Sequence, residues 1–111
     1  AIVVTLADPA SQRDAARATE LLLAKRDIPV RMAVNRVSPK LFTRMQSTVD
    51  DVMDLVGLPL LGLVPEDASV VLAAASGRLL IDFTEQGAAK ACHNLAGRLE
   101  GRRVPLMKLK K

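Results

Sequence analysis

At 111 residues, half of them hydrophobic, the chain has the length of one domain or part of one. Phe42 and Phe83 are its whole aromatic complement, which disfavours single-stranded nucleic acid binding on stacking platforms and leaves a core of Leu, Val, Ile, Ala and Met. The formal charge of +4 is a tail property: Arg102, Arg103, Lys108, Lys110 and Lys111 stand without an acid in residues 101–111, against 11 basic and 12 acidic residues in the rest.

Ala1 to Leu6 is a continuous β-branched run and reads as a buried strand, ended by Asp8-Pro9. Ser11 and Asp14 have capping-box spacing, so a helix is expected from Ser11 to about Arg26, with Ala15, Ala18, Leu21 and Leu22 inward. Pro29 to Val34 is the second strand, with Asn35 and Arg36 at its end. Ser38-Pro39 then opens a helix, since proline suits the first helical position. Phe42, Met45, Val49, Val52, Met53 and Val56 recur in steps of three and four, marking one buried face. Ser47 is placed to re-cap a second helix that carries Asp50 and Asp51 in its first turn and stops at Gly57.

Leu58 to Val64 is the third strand. It halts at Pro65-Glu66, and Asp67 is placed to cap a short helix ending at Gly77. Leu79 to Ile81 reads as a short extended piece. Thr84 opens the last helix, with Ala88, Ala91, Cys92, Leu95 and Leu99 inward and Gly101 at its end. This alternation predicts an α/β fold, a parallel sheet of three to four strands with flanking helices. Residues 1–101 form the folded part and 102–111 a basic tail.

The chemistry is defined as much by what is missing. No glycine is followed by lysine in a phosphate-cradling G-x-x-x-x-G-K-[ST] loop, and there is no dinucleotide fingerprint. A lone His93 supports neither a serine triad nor, with a lone Cys92, a His/Cys metal site. Cys92 reads as a core residue, and one cysteine points to a cytosolic setting. No apolar run approaches the roughly 20 residues that span a bilayer, and no signal peptide is recognised. The chain opens at Ala1 inside an apolar run, as a fragment or a processed product would. What remains are polar residues at the C-terminal ends of two strands, the edge where open parallel sheets hold ligands. Asn35 there can donate to and accept from a planar base edge, and Pro65-Glu66-Asp67 can flank the same base. The plainer reading makes Asn35 and Asp67 turn and cap residues.

The stretches Ile2–Thr5, Pro9–Asp14, Val34–Arg36, Asp51–Asp54 and above all Gly57–Val70, with Gly87–Lys90 and Arg98-Leu99, resemble the C-terminal part of MinD/ParA-type P-loop ATPases, nearest the septum site-determining members. The resemblance implies an incomplete P-loop NTPase-like domain whose phosphate loop, signature lysines and switch aspartates lie outside this chain. It implies adenine recognition by Asn35, Arg36, Pro65, Glu66 and Asp67, with ATP and Mg as cofactors of the full-length protein. Tight nucleotide binding and hydrolysis by the 111-residue chain are not expected. It further implies a homodimer, a division-regulator partner, a cytoplasmic location and peripheral membrane contact through the tail, with no specific nucleic acid partner. The exposed Arg13, Asp14 and Arg17 of the first helix are a candidate partner surface. The alternatives are a ParA-type DNA-partitioning ATPase and a non-catalytic dimerising domain that pairs through an open sheet edge.

Overall fold

The computed structural model describes residues 1–25 and 27–106. Three parallel strands, β1 (Ile2–Thr5), β2 (Arg31–Val37) and β3 (Leu60–Pro65), form one sheet in the order β1-β2-β3. Helix α1 (Pro9–Lys25) connects β1 to β2, and the pair α2 (Pro39–Met45) and α3 (Val49–Val56) connects β2 to β3. After β3 come α4 (Ala68–Ala75), α5 (Leu80–Phe83) and α6 (Ala88–Leu99). The alternation seen in the sequence is therefore the architecture, with three strands.

One face of the sheet carries Val3, Met32 and Val34. They meet Ala15 of α1, Phe42 of α2 and Val52 and Val56 of α3 in a single core. Met45, Val49 and Met53 pack against it, so the whole stripe read across α2 and α3 lies where its spacing puts it. The break between these helices comes at Gln46, whose φ of 52° is left-handed. Thr48, one residue after the expected Ser47, provides the cap. Its Oγ1 accepts from Asp51 N at 3.2 Å while Asp51 Oδ2 accepts from Thr48 N at 2.9 Å.

The start of α1 differs from the expectation. Pro9 takes the first helical position, and the cap is Asp8, not Ser11. Asp8 accepts from Ser11 Oγ at 2.7 Å and Ser11 N at 3.0 Å, and the Ser11 hydroxyl is the first cause that holds its carboxyl below the ordinary range. The buried face of α1 is Gln12, Ala15 and Thr19, while Ala18 and Leu21 are exposed. Gln12 Nε2 donates to Ala7 O at 2.6 Å and Thr19 Oγ1 to Ala15 O at 2.8 Å. Hydrophobic periodicity misses this face because two buried polar side chains there find backbone carbonyls.

Three further expectations are corrected. The β-branched β1 alternates exposed and buried, with Ile2 42% and Val4 62% exposed, because its second face lies bare. Leu79–Ile81 belongs to a helical turn, not an extended piece. Three residues make a poor strand without a neighbour, and Arg78 reaches over the turn to Asp82 O at 2.8 Å and stacks 5.4 Å from the Phe83 ring. The last helix starts at Ala88, not Thr84, because Gly87 has a φ of 59° and breaks the run. Its inward residues are Ala88, Ala89, Ala91 and Gly97, with Leu95 half-buried; Cys92 and Leu99 point to solvent. Small residues face the sheet because α6 crosses β3 closely. A Cβ on Gly62 would sit 2.4 Å from Leu95 Cδ2.

Candidate functional site

The C-terminal edge of the sheet is shaped by one irregularity. Val34 pairs with Leu63 and Val37 with Pro65, so Asn35 and Arg36 on β2 oppose Val64 alone on β3. This two-against-one arrangement is a β-bulge, a device that re-aims side chains at strand ends. Arg36 absorbs it with a φ of 54°, a left-handed conformation that few non-glycine residues adopt. Asn35 Oδ1 accepts from Arg36 N at 2.9 Å, which holds the bulge from its side-chain end.

The bulge swings Arg36 across to β3. Its Nε lies 3.1 Å from Glu66 Oε2 and its Nη2 3.4 Å from Oε1, a forked pair between strand ends. Both side chains are more than half exposed, so the pair adds at most about 1 kcal/mol and serves mainly to fix geometry. Glu66 N also donates to Val37 O at 2.9 Å, continuing the ladder one residue past Pro65. Asn35, Arg36, Pro65 and Glu66 are thus one neighbourhood, as their positions on adjacent parallel strands predict.

Asp67 sits at the same edge with a different duty. Its Oδ1 accepts from Ser69 N at 2.9 Å and caps α4, as expected. Its Oδ2 accepts from Ala88 N at 2.9 Å, across 21 residues, at the first turn of α6. The Ala88 N–H first, and the Ser69 N–H after it, hold the carboxyl below the ordinary value of 3.8. A carboxylate between two helix N-termini is favoured by both dipoles. Gly87 is required for this contact: a Cβ there would lie 2.3 Å from Asp67 Oδ2, and its positive φ disfavours a side chain as well. Both Asp67 oxygens are engaged by backbone N–H groups.

Helix α6 is also held at its far end, where Arg98 Nη1 donates to Leu61 O at 3.1 Å. Neither Gly87 nor Arg98 was readable from the sequence as a partner of this region. A glycine before an alanine-rich helix is an available signal for the first, but nothing local marks the second. Among the described residues no three His, Cys, Asp or Glu side chains come together as a metal site. With Asn35 Oδ1 taken by Arg36 N, the donor left on this half-buried side chain is its amide nitrogen.

Solved structures define the class first. The chain has the fold of the MinD/ParA P-loop ATPases, superposing on a ParA family ATPase from Chlorobium tepidum with a TM-score of 0.66 over 88% of this chain, at 19% identity that shows the fold alone. More narrowly, its likeness is to the MinD cell division protein of Aquifex aeolicus, with a TM-score of 0.85 at 28% identity over 96% of this chain and 45% of that one. In the MinC:MinD complex of the same organism the TM-score is 0.88 at 25% identity, over 98% of this chain and 46% of the other. In sequence it is 32% identical to the septum site-determining protein MinD of Synechocystis over 96% of the chain and 41% of the relative. Its identity to a MinD protein of Mesostigma viride is 37%, over 98% and 39%. The chain is therefore MinD-like along nearly its whole length, while spanning about two fifths of the length of these relatives. No family model matches it.

Proposed function

We propose that this chain is the base-recognition portion of a MinD-like ATPase that acts in placement of the division site. The observation that carries the reading is the β2 bulge, which gathers Asn35, Arg36, Pro65 and Glu66 at the ligand edge of a MinD-like sheet. Asn35 Nδ2 donates to a ring nitrogen of adenine, the Pro65–Asp67 backbone walls the base, and the Arg36–Glu66 pair closes the rim. ATP and Mg are the cofactors of a longer protein whose phosphate-binding portion packs on the bare face of β1, over Ile2 and Val4. This chain by itself binds nucleotide weakly and hydrolyses none, since phosphate contacts supply much of nucleotide affinity. Residues 1–101 act as that portion, with 102–111 as a basic tail.

ATP-dependent homodimerisation, a cytoplasmic location and a division-regulator partner follow from the same reading. The MinC:MinD complex supports such a partner, and Arg13, Asp14 and Arg17 stand exposed on α1 to meet it. No helix among the described residues is long and apolar enough to cross a membrane. Peripheral membrane contact through the tail belongs to the same reading, and residues 107–111 of that tail lie outside the described structure. The ParA-type DNA-partition reading is not favoured, because the relatives in sequence are MinD proteins.

The test is an amide NMR titration of the chain with ATP and with GTP. Shifts confined to Asn35, Glu66 and Asp67, seen with ATP and reduced about tenfold in affinity by Asn35→Ala, support the reading. Equal response to GTP, or shifts elsewhere, would sink it.

A further inference from the structure

A second polar surface lies at the opposite end of the sheet. An open groove of about 660 Å³ is lined by Arg31, Arg98, Gly101, Arg102, Arg103, Val104 and Pro105. Its four guanidinium groups come from three places in the chain: the first residue of β2, the last turn of α6 and the segment that follows α6. The near acid is Glu100, which pairs with Arg102 and leaves a clear positive excess.

The groove has a fixed floor. Arg98 donates through Nε to Val104 O at 2.9 Å, through Nη2 to Pro105 O at 2.8 Å and through Nη1 to Leu61 O at 3.1 Å. These neutral acceptors position the guanidinium without cancelling its charge. They also hold residues 104–105 against β3, which sets Arg102 and Arg103 beside Arg31. Arg98 is occupied in holding α6 and residues 104–105, and Arg102 is paired with Glu100, so Arg31 and Arg103 are the guanidinium groups with no such duty among the described residues; like charges so gathered raise the energy unless an anion meets them. Planar guanidinium forks match the oxygens of a phosphate group, and several of them select it over a singly charged anion. Arg31 and Arg36 are the start and the far end of one strand, roughly 16 Å apart at the usual rise per residue. An anion in the groove is therefore separate from a base bound at the bulge.

We propose that the arginine groove binds a phosphate-bearing anion, and that it does so independently of the nucleotide edge. Two sources share this chemistry, a soluble phosphate compound and the headgroup of an anionic lipid, and the experiment separates them. The 111-residue chain is titrated with inorganic pyrophosphate by NMR. In parallel it is floated with vesicles of phosphatidylglycerol and phosphatidylcholine in equal parts, and with phosphatidylcholine alone. Arg31→Ala and Arg103→Ala each weaken binding about fivefold, whereas Lys40→Ala, which removes one positive charge from the exposed start of α2, leaves it unchanged. The loss in the pyrophosphate arm identifies a soluble ligand and the loss in the vesicle arm a headgroup. Arg103 lies in an exposed loop, so its variant reports on binding even if Arg31→Ala perturbs folding. The proposal is overturned if neither probe binds, or if Lys40→Ala costs as much as the arginine variants.

Discussion

The two faces of the sheet are built on different terms. On one, α1, α2 and α3 close over Val3, Met32 and Val34, and the side chains of β2 there are shut away from water. On the other, α6 lies along β3 through a seam of alanine and glycine, and β1 stays bare with Val4 62% exposed. The first face is a finished core held by apolar burial. The second is held at points: Asp67 at one end of α6, Arg98 at the other and the Gly62–Leu95 contact between them. Burial spread over many side chains tolerates no single cavity cheaply, whereas a pinned helix depends on a few polar contacts. A parallel sheet ordinarily has both faces covered, and here half of one face is bare.

The largest expected effect tests the closed face. Met32→Ala removes a fully buried side chain and should cost about 3 kcal/mol, read as a lower denaturation midpoint with an unchanged slope. Next comes the pinned helix. Asp67→Ala removes a cap and a cross-chain contact together and should cost about 2 kcal/mol. Gly87→Ala should destabilise comparably through strain against the same carboxylate, and the double variant should cost less than the sum, since removing Asp67 removes the clash. Strict additivity in thermal melts would break the assignment of Asp67 as the pin.

Acid gives a milder version of that test. The Asp67 and Asp8 carboxyls are both lowered from 3.8 in the folded state, so the folded protein binds fewer protons than the unfolded chain near that value. Their contribution is complete above the unfolded value and is lost as pH falls through the lower folded one. Thermal melts should therefore fall progressively below about pH 4, and Asp67→Asn should flatten that fall. The smallest effect belongs to the bare face. Val4→Ser should change stability by no more than about 0.5 kcal/mol, and a cost near that of Met32→Ala would mean that β1 is covered in solution.

Much of the candidate site was legible because its residues sit at strand ends, which punctuation by Pro65 and Asn35 marks plainly. Their adjacency followed from parallel pairing. The bulge did not, because one extra residue in a strand leaves no trace in hydrophobic pattern. Without it the Arg36–Glu66 pair and the Asn35 Oδ1 contact with Arg36 N have no explanation. Asp67 was correctly read as a cap for α4, but its second helix lies 21 residues on and was invisible to local spacing. The same limit explains α1, where Gln12 and Thr19 rather than Ala18 and Leu21 face inward. Periodicity weighs polarity and cannot foresee that a buried amide will find Ala7 O.

By itself the sequence determined the order of the three strands and of the helices between them, the closed core under α2 and α3, the edge that bears polar residues and the likeness to MinD/ParA ATPases. Each of these rests on local pattern or on motif. Tertiary structure alone decided which face of β1 is left open, where α6 is pinned and that four arginines from distant positions share one groove. Those depend on residues far apart in the chain, from Asp67 bonded to Ala88 21 positions on to Arg31 and Arg103 lining one groove, which no window of sequence contains.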